Sequence, residues 1–503
     1  MNHRAILPLV LTFGLMIPLL ILMAQGRFVL AGFLIAAMIG IIVFRRLDIW
    51  WLLVVATLAW GIPLPFYNLS VQLLLRLALG VLGLMGFAMT QGTSTRLGLR
   101  SPPRQAALLL FCIVLVTAFA RGWGLRVLGS TMWGGMHYVV LLGGIVVFLC
   151  SPQVVVSEKK LWRAVLAMCM LGVVPAAWIL VRRFVPELTF LFGGGDDVPA
   201  AATAGRIQAV QMPAIWAGML ALLLYDRKFK ITLLIVLLGI ASFVLMGLSG
   251  HRTVPVLLGL VGLVYLAVRR KYVPTPQYLH LLAALFLVVA LIYAFVEQLP
   301  LPFQRALAWW PGLQVAYEAA MSAEGTTTWR IDMWRMMLPM IPEYFLLGRG
   351  LAFNIWQAYD VSLMATDVGR LQLFIETHNY HSGPLFLLVD LGVFGFLAAT
   401  TFMVGGIVRY GRALRNIPPG GRWFTMYGVI YVYFSGSVIF FYTVIGGPQS
   451  LGNLMVVASI LEVILQSIRH ERRQAEQAAE PANGNGHRRF LDRSPALRSQ
   501  WYE

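Results

Sequence analysis

Charged residues are scarce in this chain. Asp, Glu, Lys and Arg together make up 12% of the 503 residues, whereas hydrophobic residues make up 59%. Soluble globular proteins carry roughly 25% charged residues, so this composition excludes an ordinary soluble enzyme. Apolar stretches of roughly 17–25 residues recur along most of the sequence, and each is long enough to cross a hydrocarbon core of about 30 Å. The composition therefore predicts an all-α, polytopic integral membrane protein with about 12–14 transmembrane helices.

Cysteine is also scarce, and acidic residues are outnumbered. Cys112, Cys150 and Cys169 lie in or at the ends of apolar stretches, and their spacing fits no zinc site, haem site or disulfide framework. Lys and Arg number 39 against 21 Asp and Glu, which gives a net charge of +18. In a membrane protein this excess indicates basic cytoplasmic loops and attraction to anionic lipid. The expected partners therefore include membrane lipid but no nucleic acid.

The positions of the basic loops predict the orientation of the chain. Segments rich in Lys and Arg occupy alternate loops, so they mark the cytoplasmic face, and both termini are expected on that face. The periplasmic face then receives one large loop late in the chain, at residues 297–380. The candidate spans lie near residues 5–24, 28–44, 48–61, 71–90, 105–120, 132–150, 161–181, 208–225, 231–248, 253–268, 279–296, 382–408, 423–445 and 451–468.

Three parts of the chain differ in composition. Residues 1–200 are expected to form N-terminal transmembrane helices, and they contain no motif that indicates chemistry. Residues 201–468 contain the remaining spans and the periplasmic loop, and form the predicted functional core. Residues 469–503 are polar and low in complexity, which is typical of a disordered tail, here on the cytoplasmic face.

Arginine and lysine are distributed differently between the two faces. All five Lys are predicted to be cytoplasmic, whereas Arg occurs on both faces. The planar guanidinium group binds phosphate through two parallel hydrogen bonds, whereas the Lys ammonium acts as a point charge. The external Arg residues therefore indicate a phosphate-binding site, although an Arg-rich composition with few Lys predicts the same asymmetry.

Four segments occur in a fixed order along the second half of the chain. AGRIQAVQMPAIWAG places Arg206 before a span, and LSGHRTVPV places Arg252 at the head of the next one but one. TTWRIDMWRMMLPMIPEYFLLGRG joins an Arg- and Trp-containing helix to a glycine turn around Arg349. The fourth segment is ETHNYHSGPLFLLVDLGVFG, from Glu376 to Gly395. Together these segments, within residues 200–410, resemble the O-antigen ligase and polymerase superfamily of bacterial membrane glycosyltransferases.

The fourth segment contains the spacing that is characteristic of this superfamily. A His is followed by Asn, Ser or Gln, then by nine residues, and then by Gly-x-x-Gly. The residues that satisfy this spacing are His381, Ser382, residues 383–391, Gly392 and Gly395. His378-Asn379 has the commoner dipeptide but begins three residues too early. The spacing therefore favours His381 over His378 as the catalytic residue, while interfacial placement or a buried hydrogen bond would explain either His without catalysis.

The resemblance implies a reaction and a set of site residues. A ligase or polysaccharide polymerase of this type transfers a glycan from undecaprenyl diphosphate to an acceptor hydroxyl at the periplasmic face of the bacterial inner membrane. The acceptor is a lipid A core, another glycan or a protein, and neither a metal nor another cofactor takes part. A His acts as general base, and the donor diphosphate is bound by Arg206, Arg252, Arg330 and Arg335. Supporting roles are expected for Asn379, Ser382, Arg349, Asp390, Gly392 and Gly395.

These residue types suit that chemistry. A diphosphate leaving group needs cations aimed at its developing charge, and a neutral imidazole can accept the proton of a hydroxyl near neutral pH. If a helix begins near Ser382, its amides oppose a positive charge on His381 and keep the ring neutral. Asp390 is costly in lipid, so it is expected to face the interior of the helix bundle.

The segment WRIDMWRMMLPMI predicts an amphipathic helix that either lies on the bilayer or packs against other spans. Arg330 shares a helix face with Trp334, whereas Arg335 points elsewhere, so Arg330 is the stronger candidate for the diphosphate site. The apolar side of this helix is formed by Trp329, Met333, Met336, Met337 and Met340.

Two other functions fit parts of the sequence. His378 and His381 with Glu376 have the residue types of a metal ligand set, and Asp196-Asp197 is an external acidic pair. A lipid-linked oligosaccharide flippase also has about fourteen spans and cationic cavities. Transporters commonly contain two related halves, which this sequence does not clearly show, so the transferase is favoured over the flippase.

Overall fold

Helices account for the secondary structure wherever the chain is described. The structure, a computed structural model, describes residues 101–124, 132–184, 210–224, 232–249, positions within 254–265, 290, 293–308, 310, 312–354, 367–419 and 421–479. The α-helices are α1 (Pro102–Arg121), α2 (Gly135–Cys150), α3 (Glu158–Phe184), α4 (Gln211–Leu224), α5 (Thr232–Ser249), α6 (Leu301–Leu307), α7 (Tyr317–Met337), α8 (Met340–Tyr344), α9 (Asp367–Glu376), α10 (Gly383–Asp390), α11 (Gly392–Arg415), α12 (Arg422–Thr443) and α13 (Pro448–Ala479). Short 3-10 helices lie at Ser151–Gln153 and Val296–Gln298.

Four of these helices, α1, α11, α12 and α13, are long and apolar enough to cross a membrane. Helix α13 packs against α2 and α12, α1 packs against α11, and α3, α4 and α5 form a second layer that contacts α12. The described residues contain no strand, only an isolated antiparallel bridge between Trp133 and Phe353. The prediction of a mostly helical chain is therefore confirmed for the described residues, in which four helices could span a membrane. The spans predicted before residue 100 and most of 279–296 lie outside the described residues.

The span predicted at residues 382–408 is interrupted, so its predicted continuity is wrong. Helix α10 ends at Asp390 and α11 begins at Gly392, which has a φ of +68°. The carbonyl groups at the end of α10 that have no partner within the helix accept hydrogen bonds from another part of the chain. The backbone N–H of Arg349 donates to the Val389 carbonyl at 2.7 Å, and that of Gly350 donates to the Asp390 carbonyl at 3.0 Å. A distant turn therefore satisfies the backbone groups that the break exposes.

The last helix is longer than predicted. Helix α13 continues to Ala479, so the predicted boundary of a disordered tail at residue 469 falls inside a helix. Side chains in the extension are anchored to neighbouring elements. Glu471 accepts a hydrogen bond from the indole of Trp423 at 3.0 Å, and Arg472 donates to the Asn416 carbonyl at 3.3 Å.

Most of the predicted amphipathic helix is present as the last turns of α7, which ends at Met337, whereas Met340 begins α8. Met333 and Met337 are fully buried, and Trp329, Met336 and Met340 are partly buried. Helix α7 packs against α6, α9 and α10, which fits packing against protein rather than lying free on the bilayer. This packing places Trp329 and Arg330 of α7 beside His381.

A buried ion-pair cluster lies near the first turn of α1. Arg104 and Glu462 are 3% and 1% exposed, and their closest N···O distance is 2.7 Å. Arg409 also reaches Glu462, with Nε 3.0 Å from Oε1. The cluster therefore joins α1, α11 and α13 through a single carboxylate.

Candidate functional site

The two histidines lie in the turn between α9 and α10, and both have unusual backbone conformations. His378 has a φ of +60° and His381 has a φ of +50°, and no other non-glycine residue in the described part of the chain has a positive φ. Residues with a Cβ atom rarely adopt a positive φ, and such backbone strain persists only where surrounding contacts hold the residue in place. Contacts with the surrounding elements must therefore hold this turn in place.

His378 is enclosed in a buried polar cluster. Its Nδ1 lies 2.8 Å from Asp390 Oδ2 and 3.1 Å from the hydroxyl oxygen of Tyr380. The Tyr380 hydroxyl donates to Asp390 Oδ1 at 2.5 Å. The side chains of His378 and Asp390 are both 0% exposed. The cluster thus confirms the expectation that Asp390 faces the interior, and it gives His378 a buried hydrogen-bonded position.

Arg349 is the cation of this cluster. One of its terminal nitrogens donates to the Ile375 carbonyl at 2.6 Å and to the Tyr380 hydroxyl at 2.9 Å. The other donates to Glu376 at 3.4 Å, and Nε lies 3.8 Å from Asp390. Burial opposes the charge on Arg349, but the neighbouring Tyr380, Asp390 and Glu376 raise its pKa above the usual value. The guanidinium group therefore stays cationic and cross-links α9 to the end of α10.

Two glycines allow Arg349 to reach this position. Gly348 and Gly350 have φ values of +78° and +85°, and a Cβ atom on Gly348 would collide with the Asp390 carbonyl. The same turn is held from the other side, because Arg121 Nε donates to the Gly348 carbonyl at 3.2 Å. The sequence pattern Leu-Gly-Arg-Gly is thus required for close approach of two backbones.

His381 has a different environment from His378. Its ring lies 5.3 Å from the Trp329 ring and 6.5 Å from the Phe374 ring, measured between centroids. The side chain is partly exposed, but Nδ1 is buried and has no hydrogen-bond partner among the described residues. Burial, and then the charge of Arg330, lower the pKa of His381 to about 4. The imidazole is therefore neutral at physiological pH.

The reason for this neutrality differs in part from the one predicted. Helix α10 does begin one residue after Ser382, as expected, and Ser382 is its N-cap residue. The causes that lower the pKa of His381 are nevertheless burial and Arg330 on α7. A contact between distant segments therefore has the effect that was expected from the adjacent helix amides.

The two Arg residues of α7 occupy different positions. Arg330 is partly buried and close enough to influence His381, whereas the Arg335 side chain is 74% exposed and bonded to Asp332 at 3.3 Å. Between them, Trp334 donates its indole N–H to the Tyr380 carbonyl at 3.0 Å. The structure thus brings Arg330, and not Arg335, to the histidine turn.

The remaining predicted residues lie around this turn or outside the described residues. Asn379 is exposed and Ser382 is partly exposed, while a Cβ atom on Gly395 would collide with the Leu391 side chain. Glu376, His378 and His381 do not converge into a group that could hold a metal ion. The predictions that lie outside the described residues concern Arg206, Arg252 and Asp196-Asp197.

Tyr380 and its carbonyl contact are the part of the site that sequence reasoning missed. Nothing in the spacing of His378 and His381 marks Tyr380, one of the two residues between them, because its partners come from three other segments and are Trp334, Arg349 and Asp390. A tyrosine between two histidines at a predicted membrane border is the signal that was available. Burial raises its pKa well above 10, and Asp390 raises it further, so its hydroxyl keeps its proton.

A family model described as O-antigen ligase matches residues 233–400. The matched region runs from α5 into α11 and contains α7, α9, α10 and the turn around Arg349, which contribute most of the contacts of the histidine turn. No curated protein matches the chain. The family match, together with the apolar helices, indicates a multi-pass inner-membrane protein of the ligase or polymerase type of glycosyltransferase. The part of the chain from α5 into α11, which includes the histidine turn, is therefore similar to the O-antigen ligase family.

Proposed function

We propose that this protein transfers a glycan from undecaprenyl diphosphate to an acceptor hydroxyl at the periplasmic face of the inner membrane. His381 is the general base, and Arg330 binds the donor diphosphate. The observation that carries the proposal is the position of a neutral, partly exposed imidazole beside a guanidinium group on α7. A base and an anion-binding cation at one place are what transfer from a diphosphate to a hydroxyl requires.

His381 is better suited than His378 to accept the hydroxyl proton. His378 is 3% exposed, and its Nδ1 already faces Asp390 and Tyr380. His381 is partly exposed, and because its Nδ1 is buried, Nε2 is the nitrogen that an acceptor can approach. The acceptor oxygen attacks the sugar carbon, the bond to the diphosphate breaks, and the hydroxyl proton passes to Nε2.

Arg330 stabilises the leaving group in this scheme. Departure of the diphosphate leaves negative charge at the border of the bilayer, where a low dielectric strengthens its attraction to a nearby cation. Arg206 and Arg252 are proposed to complete the diphosphate site, because they occupy the family's motif positions. Arg335, exposed and paired with Asp332, has weaker support for that role.

Binding of the donor would also adjust the base. A pKa of about 4 makes His381 reliably neutral but a weak base. Since Arg330 is one cause of this low pKa, a diphosphate bound to Arg330 would offset the repulsion and raise the pKa of His381. The imidazole would then become more basic when the donor is present.

The arrangement of α1 supports a periplasmic site. Its first turn follows the basic segment RLGLRSPPR, which is predicted to be cytoplasmic, and its last residue, Arg121, bonds to Gly348 beside the histidine turn. A helix of 20 residues is about 30 Å long, so its two ends can lie at opposite faces of the membrane. In a variant without its native cysteines, Asn379→Cys should react with a membrane-impermeant thiol reagent in cells whose outer membrane has been permeabilised. Asn416→Cys should react only when the inner membrane is also opened, and the reverse pattern would overturn the placement.

Two Arg variants on one helix test the assignment of residues. A strain that lacks the gene is complemented with Arg330→Ala or Arg335→Ala, and glycans and lipid-linked precursors are analysed on gels. Arg330→Ala should abolish transfer and cause the lipid-linked donor to accumulate, whereas Arg335→Ala should restore near-normal transfer. Equal complementation by both variants would refute the role of Arg330, provided that the two proteins are present at equal levels.

The same deletion strain distinguishes the reactions within the family. Unligated long chains would indicate a ligase, single repeats would indicate a polymerase, and loss of a glycoprotein would indicate transfer to protein. A flippase would instead leave the lipid-linked precursor on the cytoplasmic side of the membrane. That last result would contradict the proposed transferase.

A further inference from the structure

Tyr380 lies between the two histidines and contacts three other segments of the chain. It is fully buried, its main chain bonds to α7, and its side chain bonds to the end of α10 and to the turn around Arg349. None of these contacts involves a residue proposed to touch substrate. Their common effect is on the geometry of the residue that follows, His381.

The main-chain contact connects His381 to the helix that contains Arg330. Trp334 donates its indole N–H to the carbonyl of Tyr380, which belongs to the peptide immediately before His381. Trp334 follows Arg330 by one turn of α7, so the two side chains share a helix face. The bond therefore fixes the distance between the proposed base and the proposed diphosphate ligand.

The side-chain contacts of Tyr380 hold its hydroxyl in place. The Tyr380 hydroxyl donates to Asp390 and accepts a hydrogen bond from Arg349 at 2.9 Å. Asp390 is the last residue of α10, the helix that begins just after His381. The positive φ of His381 is thus maintained between a fixed residue on one side and a fixed helix on the other.

We propose that Tyr380 is the positioning residue of the site, which through its carbonyl and its hydroxyl holds His381 at a fixed place relative to Arg330. The proposal rests on the proposed function, because it concerns the alignment of the base with the diphosphate ligand. Tyr380 does not touch the reacting atoms and is not a catalytic residue. A displacement of about 1 Å at a reacting group can lower a rate by about a hundredfold, so loss of this alignment should be measurable.

The pH dependence of transfer gives a readout that a purely structural role would not change. The pKa of His381 is lowered by burial and by Arg330, the charged residue that faces it from α7, while Trp329 on α7 and Phe374 on α9 are uncharged neighbours. A loosened turn exposes His381 and moves it away from Arg330, which raises its pKa towards 6.5. As the pH is lowered, the transfer rate of such a variant would then begin to fall at a higher pH than the rate of the wild-type protein.

The experiment compares two buried tyrosines that each lose only a hydroxyl. Tyr380→Phe is tested in proteoliposomes with a lipid-linked donor, and the control is Tyr427→Phe, whose hydroxyl donates to the Tyr410 carbonyl at 3.1 Å within the helix bundle. Tyr380→Phe should lower kcat about tenfold or more, leave the acceptor KM within about twofold, and move the acid limb of kcat/KM to higher pH. Tyr427→Phe should leave the rate per folded molecule and the acid limb unchanged.

A second variant removes the main-chain contact. Trp334→Phe deletes the indole N–H and retains an aromatic ring, and it should move the acid limb in the same direction. If Tyr380→Phe fails to accumulate in membranes, Trp334→Phe alone decides. An unmoved acid limb, with a rate that simply follows the amount of folded protein, would overturn the positioning role.

The outcome is distinguishable from failure of the proposed function. If His381→Ala still transfers glycan at the normal rate, the proposed base is wrong. If His381→Ala is inactive while Tyr380→Phe and Trp334→Phe behave like wild type, only the positioning role is wrong.

Discussion

Two buried clusters that pair Arg with a carboxylate lie near opposite ends of α1, and they differ in backbone shape. At the first turn of α1, Glu462 lies between Arg104 and Arg409, and all three residues belong to regular helices. Near the last turn, Asp390 is the carboxylate that Arg349 approaches, but it lies at a helix break beside two histidines with positive φ. Similar side chains therefore have different roles in the two clusters. The first cluster joins three long helices, and the second fixes the shape of a turn.

This difference predicts where each cluster acts. Removal of one partner from a buried ion pair leaves a charge without compensation, which typically costs about 3–5 kcal/mol. In the first cluster, the unpaired charge should destabilise the packing of the long helices. In the second cluster, it should destabilise the histidine turn, so activity should be lost before the helix bundle unfolds.

The largest stability effect is expected for Glu462→Ala. This substitution leaves Arg104, which is 3% exposed, without its carboxylate and should destabilise the protein by about 3–5 kcal/mol. Thermal unfolding in detergent measures the loss, and the transfer rate per folded molecule should remain normal. A wild-type unfolding temperature combined with a lost rate would reverse the comparison between the clusters.

Asp390→Asn should have the opposite balance. The variant retains the shape of the side chain but removes the charge opposite Arg349 and weakens the acceptor for Tyr380. We expect transfer to fall about tenfold to a hundredfold, with a stability loss of only about 1–3 kcal/mol. Parallel measurements of kcat and unfolding temperature test this, and unchanged kcat would show that the second cluster has no effect on the turn.

Gly392→Ala tests the helix break that is present beside the second cluster and absent from the first. At a φ of +68° a Cβ atom costs about 1–2 kcal/mol, and here it would also collide with the Leu346 carbonyl. Gly428→Ala is the matched control, because Gly428 lies inside α12 with no atom within 4 Å of its added Cβ. Only Gly392→Ala should lower stability and activity, and equal unfolding temperatures would contradict the account of the break.

The smallest predicted effect is a difference between the pH dependence of kcat/KM and that of kcat. Below its pKa, His381 is protonated and cannot accept a proton, so kcat/KM should fall as the pH drops towards about 4. The acid limb of kcat should lie at higher pH, because a diphosphate beside Arg330 raises the pKa in the donor complex. A profile of both constants between about pH 3 and 8 checks this, and coincident limbs would remove the proposed link between donor and base.

Sequence reasoning predicted the elements that depend on local pattern. The apolar runs predicted α1, α12 and α13, and the spacing of Trp and Met residues predicted α7. The relation between Arg330 and Trp334 also followed from helical periodicity, and it agrees with the exposed position of Arg335. These features are set by residues within a few turns of each other.

The features that could not be predicted depend on distant contacts. The break at Gly392 requires the turn around Gly348 to supply donors to the end of α10, and those segments are about forty residues apart in sequence. The enclosure of His378 likewise depends on Arg349 and Asp390. The motif spacing distinguishes the two histidines by position, but it gives no information on which one is buried.

The proposed transfer mechanism depends most directly on which histidine is the base. The measurement is the transfer rate of purified His381→Ala and His378→Ala in proteoliposomes at neutral pH, with binding of the lipid-linked donor as a separate assay. We predict that His381→Ala binds donor but transfers about 10²–10⁴-fold more slowly, whereas His378→Ala retains a larger share of activity. Normal transfer by His381→Ala, together with its loss in His378→Ala, would contradict the account.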